Sequence, residues 1–282
     1  MWVGQQLADG LDFWGFLGSL ILGGIILGIY TGLLGYVGAK TGLSLDLLSQ
    51  RAFGEKGSYL PSAMTSFTQI GWFGVGSFVS GGTATPNFAR FAKNGKAGAI
   101  TTVVAFFIGN SLMFFFGAVS SIFVGGNDIF EVMVRLNLFY LAVLVLGLNI
   151  WTTNDNALYT AGLGLANIFH QRKKPMVLLS GIIGTVASVW LYYNFCGWLN
   201  ILNCTLPPVG MILVLAYFMN KEDFETDQPK LKTIDWFAVA GVILGAIVAN
   251  LLHWGIASIN GMVVAAVCYL SLIHISEPTR PY

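Results

Sequence analysis

Residues Leu138–Phe169 read LFYLAVLVLGLNIWTTNDNALYTAGLGLANIF. A bilayer is crossed by about 20 apolar residues in a helix, and this run is long enough. It contains a single acid, Asp155, and no base. At its centre Asn149, Thr152, Thr153 and Asn156 stand at i, i+3, i+4 and i+7, so four side-chain oxygens share one helical face. Polar groups at membrane depth are costly and need a partner or a function. Hydroxyl and amide oxygens with little net charge suit a hard cation such as sodium. Asp155 sits in the same stretch, either as a helix-to-helix hydrogen-bonding group or as an ion or proton relay.

The whole chain has this character. Of 282 residues 55% are apolar and 10% charged, against about 25% charged in a soluble domain. Mean hydropathy is +0.72. A soluble enzyme and a disordered chain are excluded. So is a nucleic-acid binder, which needs a basic excess that a net charge of +1 lacks. The sequence predicts an all-α, polytopic membrane protein with about eight spans: Phe13–Gly38, Tyr59–Phe88, Gly98–Val124, Leu138–Phe169, Met176–Phe195, Cys196–Met219, Trp236–Trp254 and Ile259–Ile275. These runs are too long for barrel strands of about 10 residues. Cys196, Cys204 and Cys268 fall in apolar stretches and match no zinc or redox spacing. No HExxH, GxSxG or paired catalytic carboxylates occur, so an enzyme is not expected.

Basic residues in short connectors orient the spans. Loops Lys40–Lys56, Arg90–Lys96, Arg172–Lys174 and Lys221–Lys232 are basic or mixed, and the connectors between them are poor in Lys and Arg. The basic loops are expected to face the cytoplasm. One run breaks the alternation: Tyr59–Phe88 has a basic loop at each end. A single crossing cannot return to the side it left. This run is therefore a re-entrant hairpin, or an odd number of crossings is missing from it.

Other features mark packing and irregularity. Gly24, Gly28 and Gly32 recur every fourth residue, as do Gly241 and Gly245. Such faces let helix backbones approach closely. In Ser66–Phe88, Gln69 and Trp72 share a face, an amide and an indole that can bond and stack on a flat polar ring. Ser77, Phe78, Ser80, Gly81, Gly82 and Pro86 follow. A helix broken there would line a cavity. The pair Pro207 and Pro208 is read as a kink, structural or gating. His170 is expected to be solvated in its basic loop, and His253 to lie near a span end.

These stretches resemble a known family. GWFGVG (Gly71–Gly76), GSFVSGGTATPNFARF (Gly76–Phe91), FFIGNSLMFFFGA (Phe106–Ala118), GLNIWTTNDNALYTAGLG (Gly147–Gly164), SGIIGT (Ser180–Thr185) and PPVG (Pro207–Gly210) are similar to the cytosine permeases among the nucleobase–cation symporters. LLGYVGAKTGLS (Leu33–Ser44) agrees with them. The resemblance implies a leucine-transporter-like bundle with twelve helices, ten of them in two inverted repeats of five. It implies that cytosine stacks between Trp72 and Phe78, with Gln69, Ser77 and Ser80 bonding its edge. Asn149, Thr152 and Thr153 would hold a sodium ion, and Asn154 and Asp155 would line the same region. The implied activity is sodium-coupled symport of a nucleobase by alternating access in the cell membrane, with no cofactor beyond the coupling ion. The expected partners are the nucleobase, sodium and the lipid bilayer, with no obligate protein partner.

The sequence departs from the family pattern in three places. Met1 begins inside what resembles the second half of the first helix. Between Gly76 and Ser77 the end of helix three, helices four and five, and the start of helix six are expected but absent, which makes the inverted-repeat bundle incomplete. Leu270–Arg280 reads LSLIHISEPTR, which resembles the translation of a sequencing adapter. The expected organisation is one transport domain over 1–269, with an internal junction at 76/77, and a non-native tail over 270–282. As it stands, the chain is expected to be a defective fragment of a sodium-coupled transporter, the alternatives being a non-transporting membrane remnant or a proton-coupled purine/pyrimidine permease.

Overall fold

The computed structural model describes residues 12–75, 83–125, 129–229, 231–252 and 254–276, and the described residues form helices joined by turns. The first helix, α1, spans Phe13–Thr41. Asp12 caps it by accepting a hydrogen bond from the Gly15 N–H at 3.0 Å. It stops at Gly42, whose φ of 69° is the left-handed conformation that glycine adopts without strain. A short helix α2, Leu45–Phe53, follows, capped by Ser44. Then come α3 (Tyr59–Val75) and the single turn α4 (Pro86–Ala89).

The next span runs Gly95–Val124. It comprises α5 (Gly95–Val104), a π-helical turn over Ala105–Gly109, and α6 (Asn110–Val124). After α7 (Ile129–Arg135) the 31-residue α8 covers Phe139–Phe169. The chain continues as α9 (Lys173–Tyr193), α10 (Phe195–Met219), α11 (Lys221–Glu225), α12 (Trp236–Leu251) and α13 (Ala257–Ser276). Helix α13 thus runs through residues 270–276, the start of the expected tail.

Four helical spans are by themselves long and apolar enough to cross a membrane: Phe13–Thr41, Gly95–Val124, Lys173–Leu191 and Gly197–Met219. Trp236–Leu251 and Ala257–Leu272 are shorter apolar helices. Large apolar side chains such as Val143, Leu144, Leu148, Ile182, Val186 and Val189 point outward. A soluble bundle would bury them, whereas lipid solvates them.

Inside, small residues set the helix spacing. A Cβ on Gly24 would come within 2.9 Å of the Phe107 ring, and one on Gly32 within 2.6 Å of Val103, so the glycine face of α1 lies directly on α5 and the π turn. A Cβ on Gly245 would stand 2.6 Å from the Gly261 carbonyl oxygen, which joins α12 to α13 in the same way. Pro207 and Pro208 lie within the continuous helix α10. Pro208 fills the seam between Gly245 and Gly261, which gives it a packing role.

The run Tyr59–Phe88 is not one crossing. Helix α3 ends at Val75, and residues 76–82 lie outside the described residues. Where the description resumes, Asn87 is buried, and its Oδ1 accepts a 2.8 Å hydrogen bond from the Leu45 N–H at the start of α2. The run therefore ends at the face of the bundle where it began, as its two basic loops require.

All four basic loops gather on that face. Lys40 pairs with Glu225 at 3.5 Å, and Arg51 donates to the Asp223 carbonyl at 2.7 Å. The Glu55 and Lys56 N–H groups bond to the Lys232 and Thr233 carbonyls, each at 2.8 Å. Arg90 bonds to the Tyr159 hydroxyl, and Lys173 lies over the Tyr159 ring. His170 is exposed as expected, but it is not merely solvated: its Nε2 and the Tyr59 hydroxyl share a 2.7 Å hydrogen bond. His253 lies outside the described residues.

Candidate substrate and ion site at the centre of the bundle

A polar stripe runs from Ser58, just before α3, through Ser62, Ser66 and Gln69 of α3, at intervals of four, four and three residues. This is one helical face. It packs on the small-residue face of α8, which contributes Ala157, Ala161 and Gly164, all buried. Asn167 Nδ2 donates to Ser58 Oγ at 3.0 Å and to Ser62 Oγ at 2.9 Å. A Cβ on Gly164 would meet the Ser62 carbonyl oxygen at 2.8 Å. One turn on, Ser66 Oγ donates to the Ala161 carbonyl at 3.1 Å.

These contacts fix an antiparallel register. Each step outward along α3 meets an equal step back along α8. Continued by one turn beyond Ser66, the register sets Gln69 level with Ala157, and by nearly two turns the Trp72 backbone level with Asn154 and Asp155. Asn154 is the middle residue of the 31-residue α8. Its Oδ1 is shielded and accepts no hydrogen bond among the described residues. A buried, unsatisfied acceptor costs about 1–3 kcal/mol, a penalty that a side-chain rotation, a water or a ligand would relieve. Gln69 is buried as well. The tertiary pairing thus brings the Gln69 and Trp72 backbone positions of α3 to within about one turn of the level of Asn154, at the midpoint of α8.

The face expected for sodium is placed differently. Asn149, Thr152, Asp155 and Asn156 are exposed, while Thr153 and Asn154 are partly buried. The Thr152 hydroxyl donates to the Leu148 carbonyl at 3.2 Å and the Asn149 carbonyl at 3.0 Å, which leaves its lone pairs directed away from its own helix. These oxygens still share one face, and that face is open rather than packed. The Trp72 side chain and residues Ser77, Phe78 and Ser80 lie outside the described residues.

A second polar cluster was not expected. Ser62 Oγ donates to Asp46 Oδ1 at 2.6 Å, and Gln50 Nε2 donates to Asn167 Oδ1 at 2.6 Å. Asp46 is 6% exposed. Burial raises its carboxyl from 3.8 to about 6, against the opposing pull of Ser62, backbone hydrogen bonding and the Arg90 charge. The network ties α2, α3 and α8 together beneath the central site. The four-residue spacing of the α3 serines was the available signal. The capped start of α2 explains how an acid from a loop reaches them.

Similarity to known proteins identifies the family and the fold. The profile of a family described as permease for cytosine/purines, uracil, thiamine and allantoin matches residues 1–84 and 74–275. The cytosine permease of Escherichia coli (strain K12) is 36% identical over 365 aligned positions, covering 96% of this chain and 86% of the relative. That alignment is longer than the 282-residue chain, so the relative carries a long stretch with no counterpart here. The allantoin permease of Bacillus subtilis (strain 168) is 34% identical over 82 residues, or 29% of this chain. Among solved structures, Mhp1, a nucleobase-cation-symport-1 family transporter in a closed conformation with bromovinylhydantoin bound, superposes with a TM-score of 0.78. The superposition covers 99% of this chain and 89% of Mhp1 at 15% identity, a likeness of fold. This chain is a multi-pass membrane protein and belongs to the permease family for cytosine/purines, uracil, thiamine and allantoin.

Proposed function

We propose that this architecture carries a nucleobase, with cytosine as the substrate and sodium as the coupling ion. The observation that supports the reading is the α3–α8 register, which brings the Gln69 and Trp72 backbone positions to within about one turn of the level of Asn154 in the middle of α8. A planar base offers ring nitrogens and an exocyclic amine to such amides, and a flat face to an indole. Ser77, Phe78 and Ser80 complete the base pocket in this proposal, and Asp155 lines it. Asn149, Thr152 and Thr153 supply neutral oxygens to sodium. Identity of 36% to a cytosine permease supports the substrate. Ion and base bind better to one shared conformation, and each raises the affinity of the other.

The same reading makes this chain a defective carrier. Three observations support it. The family profile matches twice, and the two matches overlap at residues 74–84, around the 76/77 junction. The related permease has a long stretch without a counterpart here. Asn149, Thr152 and Asp155 stand exposed near the middle of α8, where an intact carrier would enclose its ion. Coupled transport needs two facing repeats around a closed cavity, and an open flank lets ion and base leak apart.

Expression of this chain in a strain lacking its own cytosine carrier tests the reading. Cytosine accumulation at the empty-vector level is expected. Restoring the relative's stretch between Gly76 and Ser77 should give sodium-dependent uptake. Strong uptake by the chain unaltered would overturn the defect, and absence of uptake in the restored chain would overturn the cytosine assignment.

A further inference from the structure

On the basic face, two cations share one tyrosine. Arg90, just after α4, hydrogen-bonds to the Tyr159 hydroxyl. Lys173, the first residue of α9, places Nζ 3.4 Å from the centre of the Tyr159 ring. Among the described residues neither cation makes an ion pair. Their like charges repel at this separation. Asp46, an acid that feels the Arg90 charge, is buried and already bonded to Ser62.

Two further groups are left open there. Arg90 Nε is shielded and has no hydrogen-bond partner among the described residues. Helix α9 has no side-chain cap, since its N-cap residue Arg172 makes no capping hydrogen bond. Two neighbouring cations, an orphaned guanidinium donor and an uncapped helix N-terminus all call for an anion. A phosphate has enough acceptor oxygens to meet both cations at once. An apolar group lies beside them: Phe91, itself exposed, stacks under the Arg90 guanidinium at 4.7 Å.

We propose that this pair of cations, between α4, α8 and α9, binds the phosphate of an anionic phospholipid, with an acyl chain along Phe91. A free phosphate would gain nothing from the exposed Phe91 ring. An acidic leaflet also supplies such lipids at high local concentration, beside the loops that the basic residues direct to the cytoplasm. The bound lipid would neutralise the Arg90–Lys173 repulsion and fasten α4 to α8 and α9.

Native mass spectrometry of the full chain, released from detergent with phosphatidylglycerol or phosphatidylcholine added, tests the site. Preferential retention of phosphatidylglycerol is expected. Lys173→Gln should reduce that retention by about five-fold, the equivalent of roughly 1 kcal/mol for one interfacial cation. Arg90→Gln should reduce it further. Lys93→Gln, exposed in the neighbouring loop, and Lys96→Gln, exposed at the start of α5, should leave it unchanged. Lys173 contributes only a ring contact, so its variant keeps the test valid if Arg90→Gln fails to fold. Equal retention of the two lipids would overturn the proposal, as would an equal loss from Lys93→Gln. Displacement of phosphatidylglycerol by millimolar inorganic phosphate would replace the lipid site with one for a soluble anion.

Discussion

The Ser62 hydroxyl donates a 2.6 Å hydrogen bond to the Asp46 carboxylate, and this contact joins the short helix α2 to the span α3. Asn167 of α8 donates to the same Ser62 oxygen at 2.9 Å. Three elements therefore meet at one serine, at the end of the bundle where the basic loops gather.

Burial holds the Asp46 carboxyl at about 6 in the folded chain, above its ordinary 3.8. Between these values the folded state binds more protons than the unfolded state. Stability should accordingly rise as pH falls from about 6 toward 3.8, and the charged form costs stability above that window. Asp46→Asn keeps an acceptor for Ser62 and removes the charge. Thermal unfolding in detergent at about pH 7 should show the variant more stable than the parent, by at most about 3 kcal/mol. The difference should vanish as pH drops through the window. A variant that is less stable at neutral pH would show that the carboxylate holds the network together in its charged form.

The glycine seams should not tolerate bulk. Gly245→Val forces a side chain into the Gly261 carbonyl oxygen, and Gly32→Leu forces one into Val103. Overpacking of this kind costs about 1–3 kcal/mol. Each should lower the midpoint of thermal unfolding. Gly23→Leu on the open side of α1, where an added Cβ meets nothing within 4 Å, should not.

The loop between α4 and α5 is expected on the cytoplasmic side. Lys93 is exposed there and makes no ion pair among the described residues. A membrane-impermeant thiol reagent should leave Lys93→Cys unlabelled in sealed cells and label it after the membrane is opened. Labelling in sealed cells would reverse the orientation of every span.

Base recognition should depend on the α3–α8 pair. In the chain with the relative's stretch restored, Trp72→Ala should weaken cytosine binding roughly 10- to 100-fold, on the scale of one stacking contact. Trp72→Phe should lose less. Asn154→Leu should also weaken binding, since it removes the orphaned oxygen at that level. Unchanged affinity in the alanine variant would remove Trp72 from the base site.

Thr153→Ala in the same restored chain should reduce the stimulation of cytosine binding by sodium while leaving thermal stability near that of the parent. Uptake that persists when choline replaces sodium would move the coupling role from the oxygen face to Asp155 and a proton.

Composition alone determined that the chain spans a membrane as helices, because apolar runs of this length satisfy their backbones in lipid only by intrahelical hydrogen bonds. The loop charges alone required that Tyr59–Phe88 begin and end on one side, and the bond from Leu45 to Asn87 realises this in space. The glycine spacings foretold which helix faces touch, since a helix repeats its surface every three to four residues. What the sequence could not rank was which polar residues face inward. Asn149, Thr152, Thr153 and Asn154 are neighbours in one motif, yet packing against α3 leaves the first two exposed and the last two half-buried. Nor did the loop Lys40–Lys56 betray that Asp46 would be enclosed, for its burial depends on Ser62 and Asn167, residues of two other helices. Periodicity reports the face of a single helix. Which face meets a neighbour, and which polar atom is left without a partner, follows only when the helices are set side by side.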